Sequence, residues 1–147
     1  MTQRAQVQTS WASSPAIRRS MQSNRSRDTG PEMALRRMLH AQGFRYRVCA
    51  RPLPEVRHSV DIVFRKSKVA VQVNGCFWHG CPQHYRAPSR NRDYWTAKIE
   101  RNQARDSHLS QILTAAGWLL VVVWEHDNVE AAAVSIAAAV SSRRAPP

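Results

Sequence analysis

Residues 60–84 read VDIVFRKSKVAVQVNGCFWHGCPQH, and this stretch decides what kind of fold the chain can adopt. Two β-branched runs, residues 60–64 and 69–73, are separated by four polar residues. This pattern predicts a β-hairpin, and Asn74-Gly75 is a typical end for its second strand. Two cysteines and two histidines follow within nine residues. The sequence therefore predicts a hairpin that runs directly into a segment rich in metal-binding side chains.

Patterns before this stretch predict one helix and one strand. Thr29 and Glu32 have the spacing of a capping box, so a helix is expected to begin there and to stop near Gly43. Its expected buried stripe is Leu35, Met38 and Leu39, with Arg36 and Arg37 facing elsewhere. Residues 44–48 alternate apolar and basic side chains, which predicts a half-exposed strand.

Patterns after this stretch predict two helices and one strand. Residues 93–116 have the longest helical pattern, and Gly117 is expected to end it. One face of this helix carries Trp95, Ile99, Asn102, Asp106, Leu109, Leu113 and Ala116. Residues 119–124 are a continuous apolar run, typical of a strand in a sheet covered on both sides, and residues 129–140 predict an Ala-rich helix. The fold is therefore expected to be α/β, with a mixed sheet flanked by helices.

Length and charge limit the class of protein. The 147 residues suit one domain, assigned to residues 28–140, after a flexible basic arm at residues 1–27 and before a tail at residues 141–147. A net charge of +12 favours nucleic acid as the partner, although a merely soluble basic surface or an anionic membrane could also explain it. No apolar run reaches membrane-spanning length, and no signal peptide is recognisable. Three cysteines argue against a disulfide scaffold and favour a cytoplasmic location.

The cysteines and histidines of this segment have the spacing of a zinc site. Cys76, Cys81 and His84 form a C-x4-C-x2-H pattern, and His126 offers a fourth ligand just after the apolar run at residues 119–124. The alternative is that both cysteines are reduced core thiols and that the histidines are incidental. The sequence favours a closed Cys2His2 site, because such tight spacing is uncommon without a metal.

Three acidic or basic side chains suggest hydrolytic chemistry. Asp61 lies within an apolar strand, where a carboxylate is costly unless it is paired, protonated or bound to a cation such as Mg²⁺. Asp106 and Asn102 lie on the stripe of the long helix, where polar side chains need partners. His79 can act as a general acid or base, with Asp106 orienting its ring.

Each of these interpretations has an alternative. Asp61 could be solvated at a sheet edge, and Asp106 could form a surface ion pair with Arg101 or Arg105. His79 could be a metal ligand in place of His84 or His126. For the adjacent aromatic residues Phe77 and Trp78, which would point to opposite sides of an extended segment, the choice is between wedging into a base stack and a core role.

A set of motifs in fixed order runs through the chain. They are Cys76-Phe77-Trp78-His79-Gly80-Cys81-Pro82, Tyr94-Trp95, Lys98-Ile99 with Asn102 and Asp106, Gly117-Trp118, and Val123-Trp124-Glu125-His126. In these motifs, and in residues 26–32 and 43–47, the chain closely resembles the very short patch repair endonucleases. The resemblance extends from about residue 20 to residue 126.

This resemblance implies a bacterial, nucleoid-associated, Mg²⁺-dependent enzyme with a restriction-endonuclease-like α/β/α core and a structural zinc. Its substrate would be double-stranded DNA, nicked on one strand beside the thymine of a T:G mismatch that arises when 5-methylcytosine deaminates. A monomer is expected, since cutting one strand does not need a dimer. Docking of a mismatch repair protein is left open.

The resemblance also implies roles for individual residues. Mg²⁺ would bind the Asp61 carboxylate and the Val73 backbone carbonyl, and His79 would handle the proton with Asp106 orienting it. Glu32 and Asn102 would complete the catalytic group. Zinc would be held by Cys76, Cys81, His84 and His126, and the DNA-intercalating residues would be Phe77, Trp78 and Trp95.

The chain departs from the family pattern at three positions. Val60 stands where the family usually has proline, and Asn74 stands where a charged or titratable residue is common. Gln72 and Asn74 also lack the carboxylate and the lysine of the wider nuclease superfamily. The alternative function is a non-catalytic, zinc-containing module that binds nucleic acid, with Asp61 merely structural.

Overall fold

The computed structural model describes residues 29–144, which contain a four-stranded sheet and three helices. In chain order the elements are α1 (Gly30–Ala41), β1 (Arg47–Ala50), β2 (Val60–Phe64), β3 (Val69–Asn74), α2 (Arg92–Ala115), β4 (Leu119–Trp124) and α3 (Val129–Ser142). The arm predicted for residues 1–27 lies outside the described residues, as do the last three residues of the predicted tail. Within the described range, no helix is both long enough and apolar enough to cross a membrane.

The sheet is mixed, with the strand order β1-β2-β3-β4. β1, β2 and β3 pair antiparallel, and β4 adds to β3 in parallel. A parallel neighbour needs a crossover connection, and here helix α2 supplies it. The predicted mixed sheet is confirmed, and β2 is an interior strand of it.

Two hydrophobic cores lie on the two faces of the sheet. One joins α1 and α3 to the sheet through Leu35, Leu39, Ile62, Phe64, Val71, Ile136 and their neighbours. The other joins α2 to the sheet through Val63, Ala70, Leu109, Leu113, Trp118 and their neighbours. Helices therefore cover both faces, in the α/β/α arrangement expected of a restriction-endonuclease-like fold.

Helix α1 begins at the predicted cap, but its first turn differs from a capping box. The Thr29 hydroxyl accepts a hydrogen bond from the Glu32 backbone N–H, at 3.4 Å. The Glu32 side chain is instead buried and forms an ion pair with Arg36. The expectation that Arg36 faces away from the interior was therefore wrong, because its charge partner is a buried carboxylate one helical turn earlier.

Two strand predictions need correction. The strand expected at residues 44–48 begins at Arg47, because Phe44 packs into the core beneath α1 and Tyr46 donates a hydrogen bond to the Arg36 carbonyl. The run at residues 119–124 does form a strand, but it lies at the edge of the described sheet, with Leu119 and Val122 exposed. An apolar run does not by itself reveal the position of a strand in the sheet.

Helix α2 agrees closely with its sequence pattern. Its buried residues are Trp95, Ile99, Leu109 and Leu113, with Asn102 and Asp106 half-buried between them. Ala116, expected on the same face, is exposed, since the helix ends at Ala115 and Gly117 adopts a positive φ of 82°. Asn102 and Asp106 thus form a polar segment of α2 that lies above the ends of β2 and β3.

Candidate functional site

Asp61 is buried on the interior strand β2, with 8% of its surface exposed. Its Oδ2 accepts a hydrogen bond of 2.7 Å from the Val73 backbone N–H. The regular pairing of β2 with β3 runs only from Phe64 to Ile62, so the Asp61 side chain takes the N–H beyond that point. The alternative of a carboxylate solvated at a sheet edge is therefore excluded.

The environment of Asp61 makes its charge costly. Burial raises the pKa of this carboxyl group from 3.8 to about 6, against a lowering effect of the Val73 hydrogen bond. The Glu32 carboxylate raises the pKa further, whereas Arg36 and His79 lower it. These three side chains thus lie within electrostatic range of Asp61.

Val73 presents backbone groups to Asp61. In a strand, the N–H and the C=O of one residue point to the same side, so the Val73 carbonyl points to the side on which its N–H meets the carboxylate. The Asn74 carbonyl points the other way and accepts a hydrogen bond from Glu125 N at 2.9 Å. A carboxylate and a carbonyl oxygen therefore face the same gap between β2 and β3, and both are oxygen ligands of the kind that Mg²⁺ prefers.

His79 and Asp106 form a hydrogen-bonded pair. The imidazole Nδ1 lies 2.6 Å from Asp106 Oδ2, and both side chains are partly exposed. Because Nδ1 is engaged, the other ring nitrogen, Nε2, is the one left for an incoming substrate. The alternative surface pairing of Asp106 with Arg101 or Arg105 is not what the structure has.

Helix α2 also holds the backbone of the segment that carries His79. Asn102 Nδ2 donates to the Trp78 carbonyl at 2.7 Å, and Gln103 Nε2 lies 3.3 and 3.4 Å from the carbonyls of His79 and Gly80. Gly80 has a positive φ of 62°, and a Cβ atom there would be 2.5 Å from the Gln103 amide nitrogen. The turn and its close approach to α2 therefore both require glycine.

A cavity of about 380 Å³ opens beside this pair. Its lining includes His79 and Asp106 together with Gln72 and Asn74 of β3 and Trp124 of β4. Asp61 is not part of that lining and lies on the neighbouring strand. The cavity therefore joins the acid–base pair to the strand that faces Asp61.

The four predicted zinc ligands converge. One ligand atom each from Cys76, Cys81, His84 and His126 lies within 4.8 Å of every other, which is a group that could hold a metal ion. The His126 Nδ1 atom is 3.1 Å from Cys76 Sγ and 3.8 Å from Cys81 Sγ. Two thiols and two imidazoles are a typical donor set for structural zinc. His79 is not a member of this group, since its ring is turned to Asp106.

The ionisation of the two thiols also suits a metal. Burial raises the pKa of Cys76 to about 11, and the neighbouring Cys81 and Glu125 add to this. At Cys81 burial opposes ionisation, but hydrogen bonds from the backbone N–H of Gln83, from the side chain and backbone of His84 and from Cys76 together lower the thiol pKa. The thiolate form is thus favoured at Cys81. A second thiolate at Cys76 would need a nearby cation to stabilise its charge.

Two acidic residues support this cluster, and sequence reasoning missed both. Glu125 accepts a hydrogen bond from the Cys76 backbone N–H. The Asp127 Oδ1 atom lies 3.4 Å from His126 Nε2, on the opposite side of the ring from the thiols. A carboxylate at that nitrogen fixes the ring orientation of a ligand histidine. The signal in the sequence was that these two carboxylates directly flank His126.

Phe77 and Trp78 belong to an aromatic cluster. Their ring centroids are 5.3 Å apart, and both rings contact Trp95, at 5.1 and 5.7 Å. Residues 76–80 are turns rather than an extended segment, so the two rings do not point to opposite sides. Phe77 and Trp78 are half-buried, whereas Trp95 is 2% exposed and lies under them. Trp95 can reach a base stack only if the cluster opens.

Comparisons with known proteins give consistent results. The family described as "DNA mismatch endonuclease Vsr" matches residues 13–85. The chain is 46% identical over 120 residues to the type II nicking enzyme V.NaeI of Lentzea aerocolonigenes, covering 80% of this chain and 72% of that protein. It is 43% identical over 106 residues to the type II nicking enzyme V.XorIIP of Xanthomonas oryzae pv. oryzae, covering 71% and 76%. With the DNA mismatch endonuclease Vsr of Escherichia coli K12 it shares 31% identity over 108 residues, covering 73% and 67%.

Proposed function

Because this chain belongs to the Vsr family of DNA mismatch endonucleases, we propose that it nicks one strand of duplex DNA beside the thymine of a T:G mismatch. The protein is a DNA endonuclease, so the non-catalytic binding module considered above is set aside. The net charge of +12 suits a DNA substrate. The T:G preference, the metal requirement and the individual residue roles are our proposals.

One observation carries the proposed chemistry. A hydrogen-bonded His79–Asp106 pair lines a cavity over β3, the strand whose Val73 N–H donates to the buried carboxylate of Asp61. Phosphodiester hydrolysis needs charge stabilisation at the phosphate and a group that moves a proton. Asp61 on β2 would meet the first requirement through a bound cation, and His79 in the turn after β3, paired with Asp106 of α2, would meet the second.

The proposed catalytic roles follow from these positions. Asp61 and the Val73 carbonyl would hold Mg²⁺, which supplies a Lewis acid for the scissile phosphate when bound. His79 exchanges a proton through Nε2 as water adds to phosphorus and the bond to the leaving oxygen breaks. Asp106 keeps the ring in the required tautomer and orientation. Asn102 holds the Trp78 carbonyl, and buried Glu32 acts through its charge on Asp61.

We also propose that the Cys76, Cys81, His84 and His126 cluster holds zinc. The Cys2His2 donor set suits zinc better than hard cations such as Mg²⁺. The cluster lies at both ends of the turn that carries Phe77, Trp78 and His79. A metal there would fix the base of this turn, while α2 fixes its tip.

Mismatch preference would come from the aromatic cluster. We propose that Phe77 and Trp78 enter the base stack beside the mismatch, and that Trp95 follows when the cluster opens. Unstacking is less costly at a mismatch than in an intact duplex, so aromatic insertion selects for it. We propose further that the protein acts as a monomer in a bacterial cytoplasm.

The proposal is tested with end-labelled duplexes that differ only at one base pair. With Mg²⁺ present, a T:G duplex is expected to be nicked on the thymine strand at least about a hundredfold faster than the T:A duplex. Varying the flanking bases would then define the sequence context. Equal cleavage of both duplexes, or cleavage of both strands, would contradict the proposed specificity.

Trp78→Ala is expected to reduce the preference for T:G over T:A more than it reduces overall DNA affinity. Loss of one stacked aromatic group costs about 1–3 kcal/mol by alanine substitution. The measurement is the nicking rate and the binding constant on matched and mismatched duplexes. Tyr46→Ala is a suitable control, because Tyr46 is a half-buried aromatic residue that packs against Phe64 on the face of the sheet opposite α2. Equal losses on both duplexes would count against insertion by Trp78.

A further inference from the structure

Two polar side chains of β3 are not used by the proposed chemistry. The side-chain oxygens of Gln72 and Asn74 are buried and have no hydrogen-bond partner among residues 29–144. Asn74 as a whole is 4% exposed, and Gln72 is half-buried. A buried acceptor without a partner costs about 1–3 kcal/mol. Two such oxygens on alternate residues of one strand therefore indicate a ligand for them.

The position of Gln72 relative to Asp61 follows from the strand register. Ile62 is opposite Val71 and Val63 is opposite Ala70, so continuing the same register places Asp61 opposite Gln72. Directly opposed residues of antiparallel strands lie on the same face of the sheet, with their Cβ atoms about 4.5–5.5 Å apart. Gln72 and Asp61 therefore lie on the same face of neighbouring strands, one position beyond the last regular pair, Ile62 with Val71.

The cavity connects these oxygens to the acid–base pair. Gln72 and Asn74 line the same cavity as His79 and Asp106. The strand part of this lining comes from β3 and β4, so a ligand that contacts Gln72 there would lie over β3, the strand next to that of Asp61. Oxygen atoms of amides, carboxylates, carbonyls and water are the ligands that hard divalent cations take.

We propose that Gln72 belongs to the coordination sphere of the divalent cation at Asp61, with its amide oxygen contacting the cation or one of its waters. Asn74 extends the same row of acceptors toward His79. This inference rests on the proposed function, since it assumes the cation site at Asp61.

A neutral amide suits this position for an electrostatic reason. Asp61 already has the Glu32 carboxylate within electrostatic range and lies in a buried environment. A second carboxylate on the neighbouring strand would place one more negative charge in this buried environment. An amide oxygen offers an oxygen ligand without adding negative charge.

Calcium titration of the full-length, zinc-loaded protein tests this inference. Ca²⁺ binds oxygen ligands and so does not report on the thiol cluster. Gln72→Leu, which removes the oxygen at similar volume, is expected to weaken Ca²⁺ binding about tenfold. Gln72→Glu is expected to tighten it at pH 8. The matched control is Gln111→Leu on the exposed side of α2, for which the Ca²⁺ affinity should not change.

The outcomes separate this inference from the proposed function. If Asp61→Asn loses Ca²⁺ binding while Gln72→Leu and Gln72→Glu both bind like the unmodified protein, the role of Gln72 is refuted and the Asp61 site stands. If Asp61→Asn binds Ca²⁺ as well as the unmodified protein, the cation site itself is refuted. Should Gln72→Leu fail to fold, the affinity of Gln72→Glu decides. A change in base preference without a change in Ca²⁺ affinity would assign Gln72 to DNA contact and overturn the inference.

Discussion

Replacing Asp61 with asparagine is expected to lower the nicking rate by at least about a thousandfold, comparable with the loss of a major electrostatic contribution to catalysis. The amide keeps an oxygen for the Val73 N–H but loses the negative charge that would hold the cation. Binding of a T:G duplex without Mg²⁺ should be nearly unchanged, because the carboxylate is buried on an interior strand. The measurement is single-turnover nicking together with a binding titration.

Asp93→Asn provides the matched control for this experiment. Asp93 is an exposed carboxylate in the first turn of α2, away from the cavity lining, and its amide variant should nick at the normal rate. A nicking rate of Asp61→Asn within tenfold of that of the unmodified protein would show that Asp61 has no essential catalytic role.

The same replacement should stabilise the magnesium-free protein. The pKa of Asp61 is raised from 3.8 to about 6 in the folded state, so between these values the folded protein holds a proton that the unfolded chain has lost. The free energy of unfolding therefore falls as the pH rises through this window. Above pH 7, Asp61→Asn is expected to be more stable by about 2–3 kcal/mol, and below pH 4 this advantage should disappear. Urea denaturation at pH 4 and pH 8 measures both values.

Removing one zinc ligand is expected to have the largest effect on folding. Cys81→Ala leaves three ligands for the metal, and binding free energy at such sites is folding free energy. Because domains of this size are stable by only about 5–15 kcal/mol, the variant is expected to unfold or to lose most of its cooperative transition. Treating the unmodified protein with a chelator should have the same result. Circular dichroism melting and metal analysis of the purified protein test this prediction.

Cys49→Ala is the control that shows whether the loss of a cysteine outside the cluster also destabilises the protein. Cys49 lies on β1, outside the cluster, and its sulfur is 3.7 Å from the Ser59 hydroxyl. Its replacement should leave the bound zinc and the melting temperature close to normal. A purified protein without zinc, melting at the same temperature with or without chelator, would refute a structural metal.

The sequence predicted the fold wherever one local pattern was sufficient. The strand at residues 60–64 and the run at residues 119–124 were predicted with the observed bounds, because β-branched residues between polar turns have few other structures. The start of β1 and the edge position of β4 were not predicted. Both depend on packing and on strand order, which no local window contains.

The candidate site was also predictable only where its residues are close in sequence. The two cysteines and His84 are close in sequence, so their spacing predicted a group that could hold a metal, and His126 joins this group in the structure. Gln103 donates hydrogen bonds to the carbonyls of His79 and Gly80, which lie about two dozen positions earlier in the chain. No local sequence pattern predicts these hydrogen bonds. The hydrogen bond from the Cys76 N–H to Glu125 spans 49 residues and was equally out of reach.

The contacts between α2 and the turn that carries Trp78 and His79 have a mechanical consequence. Asn102 binds the carbonyl of Trp78, and Asp106, one turn later on the same helix, binds the ring of His79. Only one peptide unit separates the indole from the imidazole. If Trp78 enters the base stack and His79 moves the proton, as proposed above, a displacement of the indole would also shift the imidazole.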